Sequence, residues 1–151
     1  MKQRGQAFPP FHFLISAVLG LAILVIILGI IAYFESVRFG LSQERFTQAV
    51  DRALANPTGE TISEEKVLFR GGESFSSRTF ASPRGMDDSC FELQARETGF
   101  VVLESASLVK IQKNTELDVF YQCFTRTECA ASALASACDK CCIISFGKEP
   151  D

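Results

Sequence analysis

The sequence contains no tryptophan and only one histidine, His12, among its 151 residues. His12 lies between two phenylalanines near the N-terminus, so no histidine is available for a Ser–His or Cys–His catalytic pair in the rest of the chain. The sequence also lacks a glycine-rich phosphate loop and a metalloprotease motif. We therefore expect a protein that is not an enzyme and carries no cofactor.

Charged side chains are missing from residues 11–34, a run of 24 residues. As a helix this run would be about 36 Å long, which is enough to cross the hydrocarbon core of a bilayer. The alternative is a cleaved secretory signal, whose apolar part would be about 7–15 residues long and would be followed by small residues. Here the run ends in Tyr33-Phe34-Glu35, which is typical of a membrane interface. The sequence therefore predicts a retained transmembrane helix.

Positive charge before the run, at Lys2 and Arg4, predicts that the N-terminus is cytoplasmic and that the rest of the chain is extracellular. Subtracting these two residues from 15 Lys and Arg leaves 13 against 18 Asp and Glu, a net charge of −5. A negative balance disfavours a surface that binds nucleic acid or anionic lipid. We therefore expect a single-pass membrane protein that has no nucleic-acid partner.

Helical periodicity continues beyond the apolar run, through residues 35–55. Apolar side chains recur on one side of this segment and polar ones on the other, so an amphipathic helix is predicted that ends at Asn56-Pro57. From residue 57 onward, short apolar stretches flank three turn signals: Gly71-Gly72, Glu97-Thr98-Gly99 and Lys113-Asn114. The predicted fold class is α+β, a long helix followed by a small antiparallel β-sheet or sandwich with disulfides.

All six cysteines follow the apolar run: Cys90, Cys123, Cys129, Cys138, Cys141 and Cys142. An even number in an extracellular segment indicates a disulfide framework, and three bridges allow 15 connectivities. Cys90 or Cys123 is expected to bond to the segment from Cys138 to Cys142. Because Cys141 and Cys142 are adjacent on a predicted strand, they should point to opposite faces and bond to different partners.

Two other interpretations of the cysteines remain open. Cys138-Asp139-Lys140-Cys141-Cys142 contains the C-x-x-C spacing of thiol–disulfide redox centres. Its three cysteines, together with Cys123 or Cys129, could also form a four-thiolate zinc site. A redox domain of this kind would place the motif near a βαβ pattern, and no such pattern surrounds it here. A zinc site would leave two of the six cysteines over. We therefore predict structural disulfides and no metal.

The stretch Lys2-Gln3-Arg4-Gly5-Gln6 stands directly before the apolar part of the chain. It resembles the archaeal class III signal peptide of type IV prepilins, a short basic leader with Gly before the cleaved bond and Gln after it. A helix that is first apolar and then amphipathic, followed by a small β domain, is also the layout of type IV pilins. The resemblance implies that a prepilin peptidase cuts between Gly5 and Gln6, with Arg4 as the preceding basic residue.

The resemblance divides the chain into a leader (1–5), a transmembrane or filament-core helix (6–34), an amphipathic extension (35–56) and an extracellular β domain (57–151). It implies a cell-surface subunit whose N-terminal helix packs against other pilin-like subunits or lies in membrane lipid. Type IV pilins commonly carry Glu five residues into the mature chain, where this sequence has Pro10. The alternative is a monomeric membrane-anchored ectodomain, stabilised by disulfides, that binds an external ligand or partner.

Overall fold

The computed structural model describes residues 9–96, 99–131 and 138–150. One helix, α1, runs without interruption from Pro9 to Ala55. Proline is compatible with its first positions because the first N–H groups of a helix have no partner within it. At the other end, Lys140 Nζ donates a hydrogen bond to the Leu54 carbonyl oxygen at 2.9 Å. The helix end is therefore capped by a cation, which the helix dipole also favours.

The chain divides into two compact units, Met1–Val37 and Arg38–Asp151. The first contains the apolar part of α1, and the second contains the remainder of α1 and all the strands. The elements of the second unit that follow α1 are β1 (Thr61–Phe69), β2 (Ser74–Ser76), α2 (Ser77–Ala81), β3 (Phe91–Ala95), β4 (Val101–Ser105), β5 (Leu108–Ile111), β6 (Thr115–Thr125), α3 (Arg126–Ala131) and β7 (Lys140–Phe146).

The strands form two sheets, one with the order β1-β6-β7-β3 and one with the order β2-β5-β4. All pairs are antiparallel except β3–β7, which is parallel. The predicted α+β class is confirmed, and the larger sheet is mixed rather than purely antiparallel. β7, the last strand in the chain, lies inside the sheet between β6 and β3, and its residues from Cys141 to Phe146 are buried on both faces.

The three turns predicted from the sequence are crossings between the two sheets rather than hairpins. β1 and β2, on either side of Gly71-Gly72, pair with β6 and β5 respectively. β3 and β4 lie in different sheets, as do β5 and β6; of the turn Glu97-Thr98-Gly99, residues 97 and 98 lie outside the described residues. The chain from Phe75 to Phe80 is a strand only as far as Ser76 and is helical from Ser77. Turn signals mark where a chain reverses, whereas the burial of one face decides which strands pair.

The core of the second unit is built around one face of α1. The buried residues of this face are Ser42, Phe46, Ala49, Val50, Ala53 and Leu54. Phe46 is 2 % exposed, and its ring centroid lies 5.4–6.1 Å from five others, those of Phe69, Phe75, Phe80, Tyr121 and Phe146. These rings come from β1, β2, α2, β6 and β7, so Phe46 joins both sheets to the helix. Phe46 and Val50 lie on the apolar side predicted for the amphipathic helix, and both are buried against the β domain.

Candidate functional site

The part of α1 between residues 11 and 34 exposes all of its side chains. Its large apolar residues are between 43 % and 76 % exposed, and among the described residues this is the one helix that is long and apolar enough to cross a membrane. A buried helix in the core of a soluble protein would also be long and apolar, but no residue of the most apolar window is buried here. This segment could therefore serve as a membrane anchor.

The processing residues predicted from the resemblance, Arg4, Gly5 and Gln6, lie outside the described residues, and cleavage between Gly5 and Gln6 stays a prediction. Pro10, which occupies the position of the usual pilin glutamate, is within the first turn of α1. His12 follows on the same helix and is exposed. Of the residues singled out at this end of the chain, Pro10 and His12 are described, and both belong to the first turn of α1.

Three disulfides use all six cysteines, and they join Cys90 to Cys138, Cys123 to Cys142, and Cys129 to Cys141. The predicted disulfide framework is confirmed. A link to the C-terminal segment was expected from Cys90 or from Cys123, and both cysteines form one. The neighbours Cys141 and Cys142 bond to different partners, as expected from the alternation of side chains along β7.

The C-x-x-C motif does not close on itself. Cys138 bonds to Cys90, which ends the short 3₁₀ turn Asp88–Cys90 before β3, whereas Cys141 bonds to Cys129 on α3. A dithiol redox centre would place its disulfide between the two motif cysteines, and a zinc site would need their thiolates free. Within the described ranges, no group of three or more His, Cys, Asp or Glu side chains is arranged to hold a metal ion.

The disulfides hold the C-terminal region to the sheet. Cys123 and Cys142 lie directly opposite each other on β6 and β7, so their bridge joins two neighbouring strands. The loops closed by the three bridges span 48, 19 and 12 residues. In the chain-entropy account, each bridge of this length stabilises the fold by about 3–4 kcal/mol. The bridges therefore replace the apolar burial that the alanine- and serine-rich segment between Cys129 and Cys138 does not offer in its sequence.

A buried ion pair anchors α1 to the edge strand β1. The Glu64 side chain is 10 % exposed, and its carboxylate accepts from Arg45 at 2.9 Å and also from Arg52. The register shift of β1 lies between Glu64 and Val67, and both of these residues are buried. Because both arginines remain 59 % exposed, only the carboxylate loses most of its hydration, and two cations compensate for that loss.

The Tyr121 hydroxyl is buried in the same region and has no hydrogen-bond partner among the described residues. Burial raises the pKa of Tyr121 far above its ordinary value, and the Glu64 carboxylate raises it further. Neither Glu64 nor Tyr121 was predicted from the sequence to belong to a buried polar group. The spacing of Arg45 and Arg52, seven residues apart on one helix face, was the available signal, but it does not identify the shared acid.

No protein-family model, curated protein or solved structure matches this chain. Functional proposals therefore depend on its own residues and on the resemblance of its layout to that of type IV pilins.

Proposed function

We propose that the chain is a type IV pilin-like subunit of the cell surface, which assembles into a filament or a filament-associated complex through its N-terminal helix. The observation that carries this proposal is α1 itself. It is one uninterrupted helix whose first part is apolar and exposed and whose last part forms the core of a β domain. The role is structural and non-enzymatic, and needs no cofactor.

Exposed apolar surface on residues 11–34 supports assembly or membrane insertion. Leaving such surface in water costs about 25 cal/mol per Å². It must therefore be covered by lipid, by the helices of other subunits, or by each in turn. In a pilin-like subunit this surface contacts lipid while the subunit is in the membrane, and it contacts the helices of other subunits in the filament core.

Integration of α1 into the β domain supports the same proposal. Residues from Ser42 to Leu54 cannot leave the core without exposing Phe46 and the five rings around it. A load that acts on residues 42–54 would therefore be carried by the packed side chains of the domain. The three disulfides resist unfolding of the domain under such a load.

Processing of the leader is the first test. When the full chain is expressed together with a class III prepilin peptidase, the mature protein should begin at Gln6. The variant Gly5→Asp should keep the leader attached. Intact-mass measurement on membranes reads both outcomes. Gln3→Asp is the matched control because it adds the same charge away from the cleaved bond, and it should be processed. Wild-type protein that begins at Met1 or Lys2 would contradict the pilin-like proposal.

The second candidate is a monomeric membrane-anchored ectodomain that binds an external ligand or partner. Pro10 favours it, because the glutamate at this position in type IV pilins is thought to help subunits register during assembly. Electron microscopy of sheared surface material, with mass spectrometry of its subunits, separates the two candidates. Filaments that contain the chain support the first. Processed chain that stays monomeric in membranes under cross-linking supports the second.

A further inference from the structure

A groove of about 380 Å³ lies between residues 38–45 of α1 and the strands β1 and β6. Three cationic residues line it: Arg38 and Arg45 on α1, and Lys66 on β1. The apolar side chains of Leu41 and Leu68 line it as well. We call this feature the basic groove.

Positive charge is concentrated in the basic groove although the chain beyond the apolar run is negative overall. Neither Arg38 nor Lys66 forms an ion pair in the part of the chain that the structure describes. Arg45 contacts Glu64, but Arg52 shares that carboxylate. One acid, Glu116, lines the groove against three cations. The residues that line the groove therefore carry a net positive charge, and the carboxylates of Glu64 and Asp118 lie next to Arg45 and Lys66.

Ser42 provides a second, independent indication of a ligand. The residue is 8 % exposed, lines the groove, and its hydroxyl has no hydrogen-bond partner within residues 9–96, 99–131 and 138–150. Two other hydroxyl residues of α1 behave differently, since Ser36 donates to the Tyr33 carbonyl at 2.8 Å and Thr47 donates to the Gln43 carbonyl at 3.0 Å. The Ser42 oxygen is not fully buried and opens into the groove, where an anion beside Arg38 and Lys66 would accept its hydrogen bond.

Lys66 is placed at the groove by an unfavourable backbone conformation. Its φ is 56°, and it is the one non-glycine residue with positive φ among those described. Its N–H donates to Asp118 Oδ1 at 2.9 Å, which fixes the bulge between Glu64 and Val67. A lysine on an edge strand can also serve to block edge-to-edge pairing. That role would be satisfied by any exposed lysine on β1, and it does not explain the nearby Arg38 and Ser42.

We propose that the basic groove binds a phosphate group, and that its source is the headgroup of an anionic phospholipid. Arg38 follows the uncharged run by four residues, about 6 Å along a helix, which is comparable to the thickness of one headgroup layer. Leu41 and Leu68 suit a ligand whose phosphate is attached to an apolar body. The lipid source depends on the membrane anchoring in the proposed function, but not on cleavage or filament formation.

The test uses the full chain in detergent micelles. Native mass spectrometry measures binding of phosphatidylglycerol and of phosphatidylcholine, and titration with inorganic phosphate tests a soluble source. Arg38→Gln and Lys66→Gln each remove one groove cation, and Ser42→Ala removes the donor without changing charge. Lys110→Gln is the matched control, because it removes an exposed lysine on β5 outside the groove. Thermal unfolding verifies that each variant folds, and if Lys66→Gln does not, Arg38→Gln and Ser42→Ala decide.

We expect phosphatidylglycerol to bind more tightly than phosphatidylcholine, and each charge variant to weaken it about fivefold. Ser42→Ala should also weaken it, and Lys110→Gln should leave it unchanged. Binding of inorganic phosphate with the same variant pattern, without a preference for phosphatidylglycerol, would support the phosphate site and overturn the lipid source. Equal losses in the groove variants and in Lys110→Gln, or no binding of either phosphate, would overturn the proposal.

Discussion

Residues 11–34 and residues 42–54 belong to the same helix, yet their apolar side chains have opposite surroundings. In the first stretch apolar residues occur all round the helix and are exposed, whereas in the second they form one stripe and are buried. A helix that is apolar all round needs lipid or other helices on every side, while a single stripe needs one partner surface. The distribution of apolar side chains, rather than the helix itself, therefore decides what each stretch contacts.

The largest expected effect is that of a reductant, which should destabilise the β domain packed on residues 42–54 and leave residues 11–34 helical. Full reduction of the three disulfides should destabilise the second unit by about 3–4 kcal/mol per bridge, because the unfolded chain gains freedom. The stretch 11–34 contains no cysteine and should remain helical. Urea unfolding of the full chain in micelles, with and without reductant, measures the loss. Near-ultraviolet circular dichroism follows the β domain, and far-ultraviolet circular dichroism follows the helix.

A chelator is the control for this experiment and should leave stability unchanged. Six free thiols in native protein, or unfolding by chelator alone, would contradict the disulfide assignment and favour a zinc site. Loss of the helical signal of residues 11–34 on reduction would show that the two stretches of α1 do not behave independently.

The next effect compares two phenylalanines on α1. Phe46 is 2 % exposed and Phe34 is 61 % exposed. Phe46→Ala removes a ring that contacts five others and should cost about 3–5 kcal/mol of the free energy of unfolding. Phe34→Ala, the matched control, should leave the stability of the β domain nearly unchanged in the same assay. Equal effects of the two variants would show that the stripe on residues 42–54 is not the core of the domain.

The element types were largely predictable from the sequence, because they depend on local patterns. The uncharged run and the stripe that includes Phe46 and Val50 predicted the one long helix, and the end at Asn56-Pro57 was also predicted. Strand pairing was not predictable. The parallel pairing of β3 with β7 joins residues about 50 positions apart, and nothing local in Phe91–Ala95 distinguishes that partner from β4. Long-range pairing depends on burial across the whole domain.

The candidate sites divide in the same way. The disulfide framework followed from the number of cysteines, and the opposite directions of Cys141 and Cys142 followed from strand alternation. The basic groove could not be predicted from the sequence. Lys66 reaches the groove only because of a bulge and a left-handed backbone conformation, and no residue pattern around Lys66 signals either of them. The net charge of the chain predicts a surface unfavourable to anionic lipid, and an average over the chain does not locate the cationic side chains around Arg38. A site made by three distant segments is visible only once the fold has brought them together.

The smallest expected effect compares the two tyrosines of the chain, Tyr121 in the core and Tyr33 on the exposed stretch. Because the Tyr121 hydroxyl has no partner among the described residues, Tyr121→Phe should raise the free energy of unfolding by about 1 kcal/mol near pH 7. Tyr33→Phe is the matched control and should change it little. Destabilisation by Tyr121→Phe would show that the hydroxyl is hydrogen-bonded in solution.

The same pair of variants tests the pH dependence. Burial, and then the Glu64 carboxylate, raise the pKa of Tyr121 in the folded protein, whereas the unfolded tyrosine titrates near its ordinary value of about 10. Above about pH 10 the unfolded chain therefore loses a proton that the folded chain keeps. This difference has no effect on the free energy of unfolding at lower pH, and it lowers that free energy as the pH rises above about 10. The slope is about 1.4 kcal/mol per pH unit for one proton. Urea unfolding of both variants between about pH 9 and 11 should show a shallower decline for Tyr121→Phe than for Tyr33→Phe, because only the second variant keeps the Tyr121 hydroxyl. Parallel declines would mean that the hydroxyl of Tyr121 ionises as readily in the folded core as in the unfolded chain.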